Sequence, residues 1–186
     1  MDIIGYHGTS DKVAKLILSN GFKIDNCTRK LPGDLGRGIY AFLDREDNSG
    51  EAISNAYNFV KNIRKNISKQ EILEILCSVE DEQVLDFNDQ DNITMFQEFR
   101  EKNKKLINEE LKSLEKNGSF KRGNLDGHVI EMLLRWFNLS ISIVIKDTYT
   151  WFGTEFDSYK KSNFFNGREM CIRNLDVIKK TRRVER

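Results

Sequence analysis

Asp2-Ile3-Ile4-Gly5-Tyr6-His7-Gly8-Thr9-Ser10 opens the chain, and Leu35-Gly36-Arg37-Gly38-Ile39-Tyr40-Ala41-Phe42 follows after the span of one helix and one loop. The first stretch reads as a strand over Asp2 to His7 that runs into a polar turn. Between the two, Val13, Ala14, Ile17 and Leu18 recur at helical spacing. Ser10 or Thr9 stands at the N-cap, and Asn20-Gly21 stops the helix as a left-handed cap would. Asp25 to Gly36 is a loop carrying Pro32-Gly33, and Gly38 to Leu43 is a second strand.

Working outward, Asp47 to Gly50 is a turn. Glu51 to Lys65 is a helix with Ala52, Ala56, Phe59, Val60 and Ile63 on its apolar positions. Glu71 to Val79 is a buried strand, continued by Gln83-Val84-Leu85. Asp89 to Lys116 is a long charged helix, interrupted near Lys102 to Lys105, with Ile93, Phe96, Phe99, Leu106, Leu111 and Leu114 turned inward. Asp126 to Phe137 is a helix with Val129, Ile130, Leu133, Leu134 and Phe137 inward. Ser140 to Ile145 has strong β propensity, Thr148 to Phe152 forms another strand, and Glu169 to Arg173 and Asp176 to Lys179 close the fold. Strands and helices do not alternate strictly, which argues for an α+β fold over a doubly wound sheet. A length of 186 residues is one domain, 1–186, with a helical elaboration at about 89–137.

Charge is balanced, 30 Lys and Arg against 29 Asp and Glu, so no global nucleic-acid footprint exists. Lys179-Lys180-Thr181-Arg182-Arg183 reads as a solvated, frayed tail. Lys102, Lys104, Lys105, Lys121 and Arg122 either serve a nucleic acid or form an ordinary solvated face. Cys27, Cys77 and Cys171 are odd in number and far apart, and with His7 and His128 they make neither a disulfide framework nor a metal cluster. A reducing cytoplasm suits that usage. No signal peptide is expected, and no apolar run approaches the roughly 20 residues that span a bilayer, so no membrane partner is expected.

Three segments carry a resemblance: Tyr6-His7-Gly8-Thr9-Ser10, Leu35 to Phe42, and Arg168-Glu169-Met170-Cys171-Ile172-Arg173-Asn174. Together they resemble the signature segments of ADP-ribosyltransferases of the histidine-tyrosine-glutamate type, which include the poly-ADP-ribose polymerases and the diphtheria-toxin-like enzymes. The resemblance implies a mixed, split β-sheet core with flanking helices and a helical middle insertion, and one pocket for NAD. His7 matches the histidine that hydrogen-bonds the adenosine-side ribose. Gly8 matches the position whose backbone grips the nicotinamide amide, where a missing Cβ permits close approach. Thr9 or Ser10 adds a hydroxyl, Gly38 belongs to the same cofactor-binding set, and Tyr40 matches the tyrosine that stacks on nicotinamide. Glu169 matches the catalytic glutamate. Glu51 to Tyr57 resembles the helix after the tyrosine strand, and Asn174-Leu175-Asp176 the turn after the glutamate. Residues from about 80 to 160 have no counterpart.

The implied chemistry is cleavage of the nicotinamide–ribose bond of NAD, through an oxocarbenium-like state that a carboxylate stabilises. Glu155 competes with Glu169 for that role. As a pocket carboxylate, Glu169 is expected to matter little for stability. The segment Asp157 to Gly167 is implied to face the acceptor, and Phe164-Phe165 within it is either core packing or acceptor-facing. His128 reads as structural. Gly36-Arg37-Gly38 is not a dinucleotide-fold phosphate loop, because a strand follows it and no third glycine does. The resemblance thus points to an NAD-dependent ADP-ribosyltransferase without a metal, acting on a protein or nucleic-acid acceptor. A bacterial or phage toxin or defence effector, held by a neutralising antitoxin or immunity protein, fits that size. A non-catalytic NAD or ADP-ribose module and an RNA 2′-phosphotransferase are the other classes.

Overall fold

Among the described residues, apolar and β-branched residues on alternate positions build seven strands, and five helices cover them. In order these are β1 (Asp2–Ser10), α1 (Asp11–Asn20), β2 (Ile39–Leu43), α2 (Glu51–Ile63), β3 (Gln70–Ser78), β4 (Val84–Asp86), α3 (Gln90–Lys102), α4 (Lys104–Glu115), α5 (Asn124–Trp136), β5 (Ile143–Thr148), β6 (Gly167–Ile172) and β7 (Ile178–Arg183). The structure, a computed structural model, describes residues 1–25, 31–45, 50–63, 69–115, 124–152, 162 and 164–185. The sheet runs β4-β5-β6-β2-β1-β3-β7. All neighbours are antiparallel except β4 and β5, which are parallel. The architecture is α+β with a mixed sheet.

That sheet consists of two ladders. β1 pairs with β3 along its whole length, from Asp2 opposite Ser78 to Ser10 opposite Gln70, and β3 pairs with β7. β2 pairs with β6 and β6 with β5 over five and six registered positions. The two ladders meet through one registered pair, Tyr6 opposite Phe42.

Side chains alternate across a strand, so each face collects its own core. Ile3, Ala41, Leu43, Leu73, Ile75, Ile145, Met170 and Ile172 share one face and pack with Ala14 and Phe22. The opposite face carries two separate clusters. Under α3, α4 and α5 lie Leu85, Val144 and Cys171 with Phe99, Ile107, Val129 and Leu133. Under α2 lie Phe42 and Ile72 with Ala52 and Ala56.

Several expectations are corrected. β1 extends to Ser10 because β3 pairs with it throughout. β4 does not continue β3; a 3-10 turn at Asp81–Gln83 redirects the chain to the far edge of the sheet. The interruption expected near Lys102 to Lys105 is found at Asn103, whose backbone N–H and side-chain amide both donate to Phe99 O, at 3.0 and 2.9 Å. The new helix starts in a different phase, so Ile107 is buried and Leu106 is exposed. Phe137 is 51% exposed, since α5 ends at Trp136. Val13 and Leu18 are likewise exposed, leaving Ala14 as the buried residue of α1. The supposed tail is β7, anchored by Arg182 to Glu74 and Arg183 to Asp11. Residues 149–152 form no strand. Among the described residues, no helix is long and apolar enough to cross a membrane.

α5 crosses the turn before β2 at Gly127. A Cβ there would stand 1.6 Å from Gly33 O and 3.1 Å from Gly36 N. Both obstacles are backbone and cannot rotate away. Helix propensity alone favours Gly127→Ala by about 1 kcal/mol, so the expected net loss of at least about 2 kcal/mol isolates the steric effect. A thermal melt should show a fall of several degrees; an unchanged or raised midpoint would refute this account of the contact.

Candidate active site

The register of β2 on β6 decides what faces what. Tyr40 lies opposite Cys171, and Phe42 opposite Glu169. Opposed residues of an antiparallel pair share a face, so all four side chains leave the sheet on the side carrying two clusters. Cys171 and Tyr40 belong with the three-helix cluster, and Phe42 with the α2 cluster. Glu169 therefore stands at the boundary between the two.

Only 8% of Glu169 is exposed. Thr148 donates to its Oε1 at 2.9 Å, and the Thr150 hydroxyl donates to the same oxygen. No donor reaches Oε2 among the described residues, and no cation pairs with the group. Thr150 is held in turn by Asn166, through Thr150 N to Asn166 Oδ1 and Asn166 Nδ2 to Thr150 O, both 2.8 Å. Asn55 of α2 donates to Asn166 O at 3.0 Å, so the hydroxyl pair is anchored to the helix above. Burial pushes the Glu169 carboxyl up to about 7; the nearby Asp34 carboxylate raises it further, and the two hydroxyls partly offset this. The group is thus poised between acid and base at neutral pH.

Tyr40 is half-buried and braces the turn before its own strand. Its hydroxyl donates to Gly36 O and accepts from Leu35 N, both at 2.9 Å. Burial holds that phenol far above its ordinary range. The Gly36-Arg37-Gly38 segment is clamped from outside. Arg37 N donates to Glu131 Oε1 at 2.7 Å, and Glu131 forms a bidentate pair with Arg173. The pair holds Glu131 ionised, below the usual carboxylate range, despite its burial. Gly38 lacks a Cβ because one would meet Ile172 O at 2.4 Å. This glycine serves strand approach, and the segment opens a strand, as its sequence indicates.

His7 leaves β1 on the opposite face, where its ring meets Phe22 edge-on at 5.5 Å. Its Nδ1 lies 2.7 Å from Tyr40 O. A carbonyl only accepts, so Nδ1 carries the proton. The ring thus bridges β1 and β2 just past their single registered pair. Gly8 faces α2: a Cβ would stand 2.2 Å from Ala56 O and 2.5 Å from Val60. Its bareness is accounted for by helix packing, where the sequence reading assigned it to ligand approach. Ser10 accepts from Val13 N at 3.3 Å as the cap of α1, and Thr9 is buried.

The structure brings Tyr40 and Glu169 onto one face and ties His7 to it through the Tyr40 backbone. Thr148, Thr150 and Asp34 were not anticipated, and Asn166, expected in the acceptor-facing segment, instead holds Thr150. A signal existed: threonines two apart at a strand end present both hydroxyls to one face. Glu155, Cys27, Lys121, Arg122 and most of Asp157 to Gly167 lie outside the described residues; of that last segment, Phe164 and Phe165 are exposed. His128 is buried on α5, 3.3 Å from a Glu110 oxygen but not aligned for a hydrogen bond, in keeping with a structural residue. Comparisons with protein-family models, curated proteins and solved structures gave no match.

Glu169 is buried, so its removal should alter stability, contrary to the expectation for a pocket-surface carboxylate. A carboxyl group with a folded value near 7 and an unfolded value near 4.5 keeps its proton in the native state while the unfolded chain gives it up. Stability is then fullest below about 4.5 and declines as the pH rises to about 7. Glu169→Gln should flatten that decline and make the protein more stable at pH 8, by on the order of 1–3 kcal/mol. Urea titrations at several pH values measure this. Parallel wild-type and mutant curves would show that the carboxyl is not desolvated as described.

Proposed function

We propose that this chain is an NAD-dependent ADP-ribosyltransferase in which Glu169 is the catalytic carboxylate. The observation that carries the proposal is that one buried, uncompensated glutamate sits on a central strand at the boundary of two core clusters, with one oxygen anchored and the other open. The narrow join between two ladders is what a split sheet would require, and the resemblance of three segments supplies the reaction class.

In this reading the anchored Oε1 fixes the orientation of Glu169 and Oε2 accepts from the 2′-hydroxyl of the nicotinamide ribose. Nicotinamide departs with the electron pair of its bond to the ribose. The ionised carboxylate stabilises the positive charge that develops on the sugar, in a site with little water to reorganise. The acceptor then attacks the same carbon and gives up a proton. Tyr40 offers a ring braced by two hydrogen bonds for stacking. His7 acts through the Tyr40 backbone as a positioning residue. An arginine-rich phosphotransferase site is less well supported, because Arg173, Arg168 and Arg45 are each tied to a carboxylate, Glu131, Asp147 and Glu51. A role as a toxin or defence effector, with a neutralising partner and a protein or nucleic-acid acceptor, remains part of this proposal.

Release of nicotinamide from NAD tests the reading. Wild type should turn over with a rate that rises through about pH 7 as Glu169 ionises, then levels off. Glu169→Gln should lower that rate by roughly 10²–10⁴ while NAD affinity stays within a few fold. Absence of NAD binding at millimolar concentration would sink the proposal, as would a mutant that keeps wild-type turnover. Binding without turnover would mark a non-catalytic NAD module.

A further inference from the structure

A concavity lies away from Glu169, between α3 and the end of α5, with a volume of about 500 Å³. Three aromatic rings form its walls. Phe99 is buried at the base, and Trp136 and Phe137 rise from it with centroids 6.2 and 5.9 Å away and ring planes inclined by 65° and 59°. Trp136 is 61% exposed. The two outer rings are fixed by the end of their helix. Asn138 takes a φ of +50°, which asparagine tolerates better than most residues, and Leu139 N donates back to Leu134 O at 2.9 Å.

Two carboxylates, Asp91 and Glu98, and the Lys102 ammonium line the same space. Glu98 is neutralised by Lys102 at 2.8 Å. The Asp91 carboxylate has no partner among the described residues. Aromatic ring faces attract cations, and an adjacent carboxylate reinforces the attraction. A wholly apolar visitor would strip water from Asp91 without return, and a phosphate would be repelled by it.

We propose that the cup formed by Phe99, Trp136 and Phe137 with Asp91 at its rim receives a lysine or arginine side chain of a partner protein. Trp136 and Phe137 take the cation on their exposed faces over the buried Phe99, and Asp91 supplies the counter-charge. This proposal is independent of the transferase reading, and its outcome is separable from NAD turnover.

Indole N–H signals of the ¹⁵N-labelled full chain provide the test, with Trp151 as an internal control. The titrants are acetyl-Gly-Lys-Gly-amide, its arginine counterpart and a norleucine analogue of equal shape and no charge. The lysine and arginine peptides should shift the Trp136 signal, and the norleucine peptide should not. Asp91→Asn and Phe137→Ala should each weaken the lysine peptide by roughly two- to fivefold. Lys102→Gln, which releases Glu98, should tighten it. The proposal is overturned if norleucine shifts Trp136 equally, if no peptide shifts it, or if Asp91→Asn leaves the lysine affinity unchanged in a protein with an unaltered melting curve.

Discussion

The join between β1 and β2 is the constraint on which the rest of this fold depends. One registered pair, Tyr6 with Phe42, links the ladders. A single hydrogen bond from His7 to Tyr40 O reinforces the link where the strands part. A buried hydrogen bond contributes only about 0.5–1.5 kcal/mol net, so the ladders are held together chiefly by what packs across them. The continuous core on the α1 side does this, drawing Leu73 and Ile75 from one ladder and Ala41, Met170 and Ile172 from the other. On the opposite face the α2 cluster also spans the join, through Phe42 and Ile72, but the three-helix cluster stays within the β2 ladder. Its two clusters leave a boundary, and Glu169 occupies it.

At that boundary two tendencies oppose each other. Burial disfavours the charged carboxylate, and Asp34 adds to the disfavour. Thr148, Thr150 and, behind them, Asn166 and Asn55 hold the group in place with neutral donors only. Contrast Glu131, which is buried beside Arg173 and kept ionised by it. The fold spends an arginine on the glutamate that clamps a turn and none on the glutamate at the boundary of the two clusters. Uncompensated burial of an ionisable group is costly, and such costs concentrate at sites of chemistry.

How much of this was legible follows from which physics each residue obeys. The α+β class, the strands around Ile39 to Leu43 and Gly167 to Ile172, and the inward face of α5 at Val129, Ile130, Leu133 and Leu134 were legible because apolar periodicity is local. The phase of α4 was not, because a side-chain amide at Asn103 resets it. Lys179 to Arg183 looked like a tail because edge strands in contact with water tolerate, and are protected by, positive charge. Gly8 was read as a ligand approach, whereas Ala56 accounts for its missing Cβ; a sequence records that a Cβ is absent but not what fills its place. The two threonines beside Glu169 were hidden for the same reason, since their role appears only once β5 and β6 are in register.

The β1-β3-β7 ladder also sets a schedule. Its outer strand meets the central one through partners such as Glu74 and Arg182, 108 residues apart in sequence. Pairings of that separation close late, after the entropy of the intervening loop has been overcome. During synthesis β1 and β3 emerge early, but β3 keeps an open edge until residues 178–183 leave the ribosome. Until then the half of the sheet that holds His7 lacks its border. A sheet whose border strand comes so late in the chain is completed only after every other strand has been made, so that the order of its assembly is written into strand order.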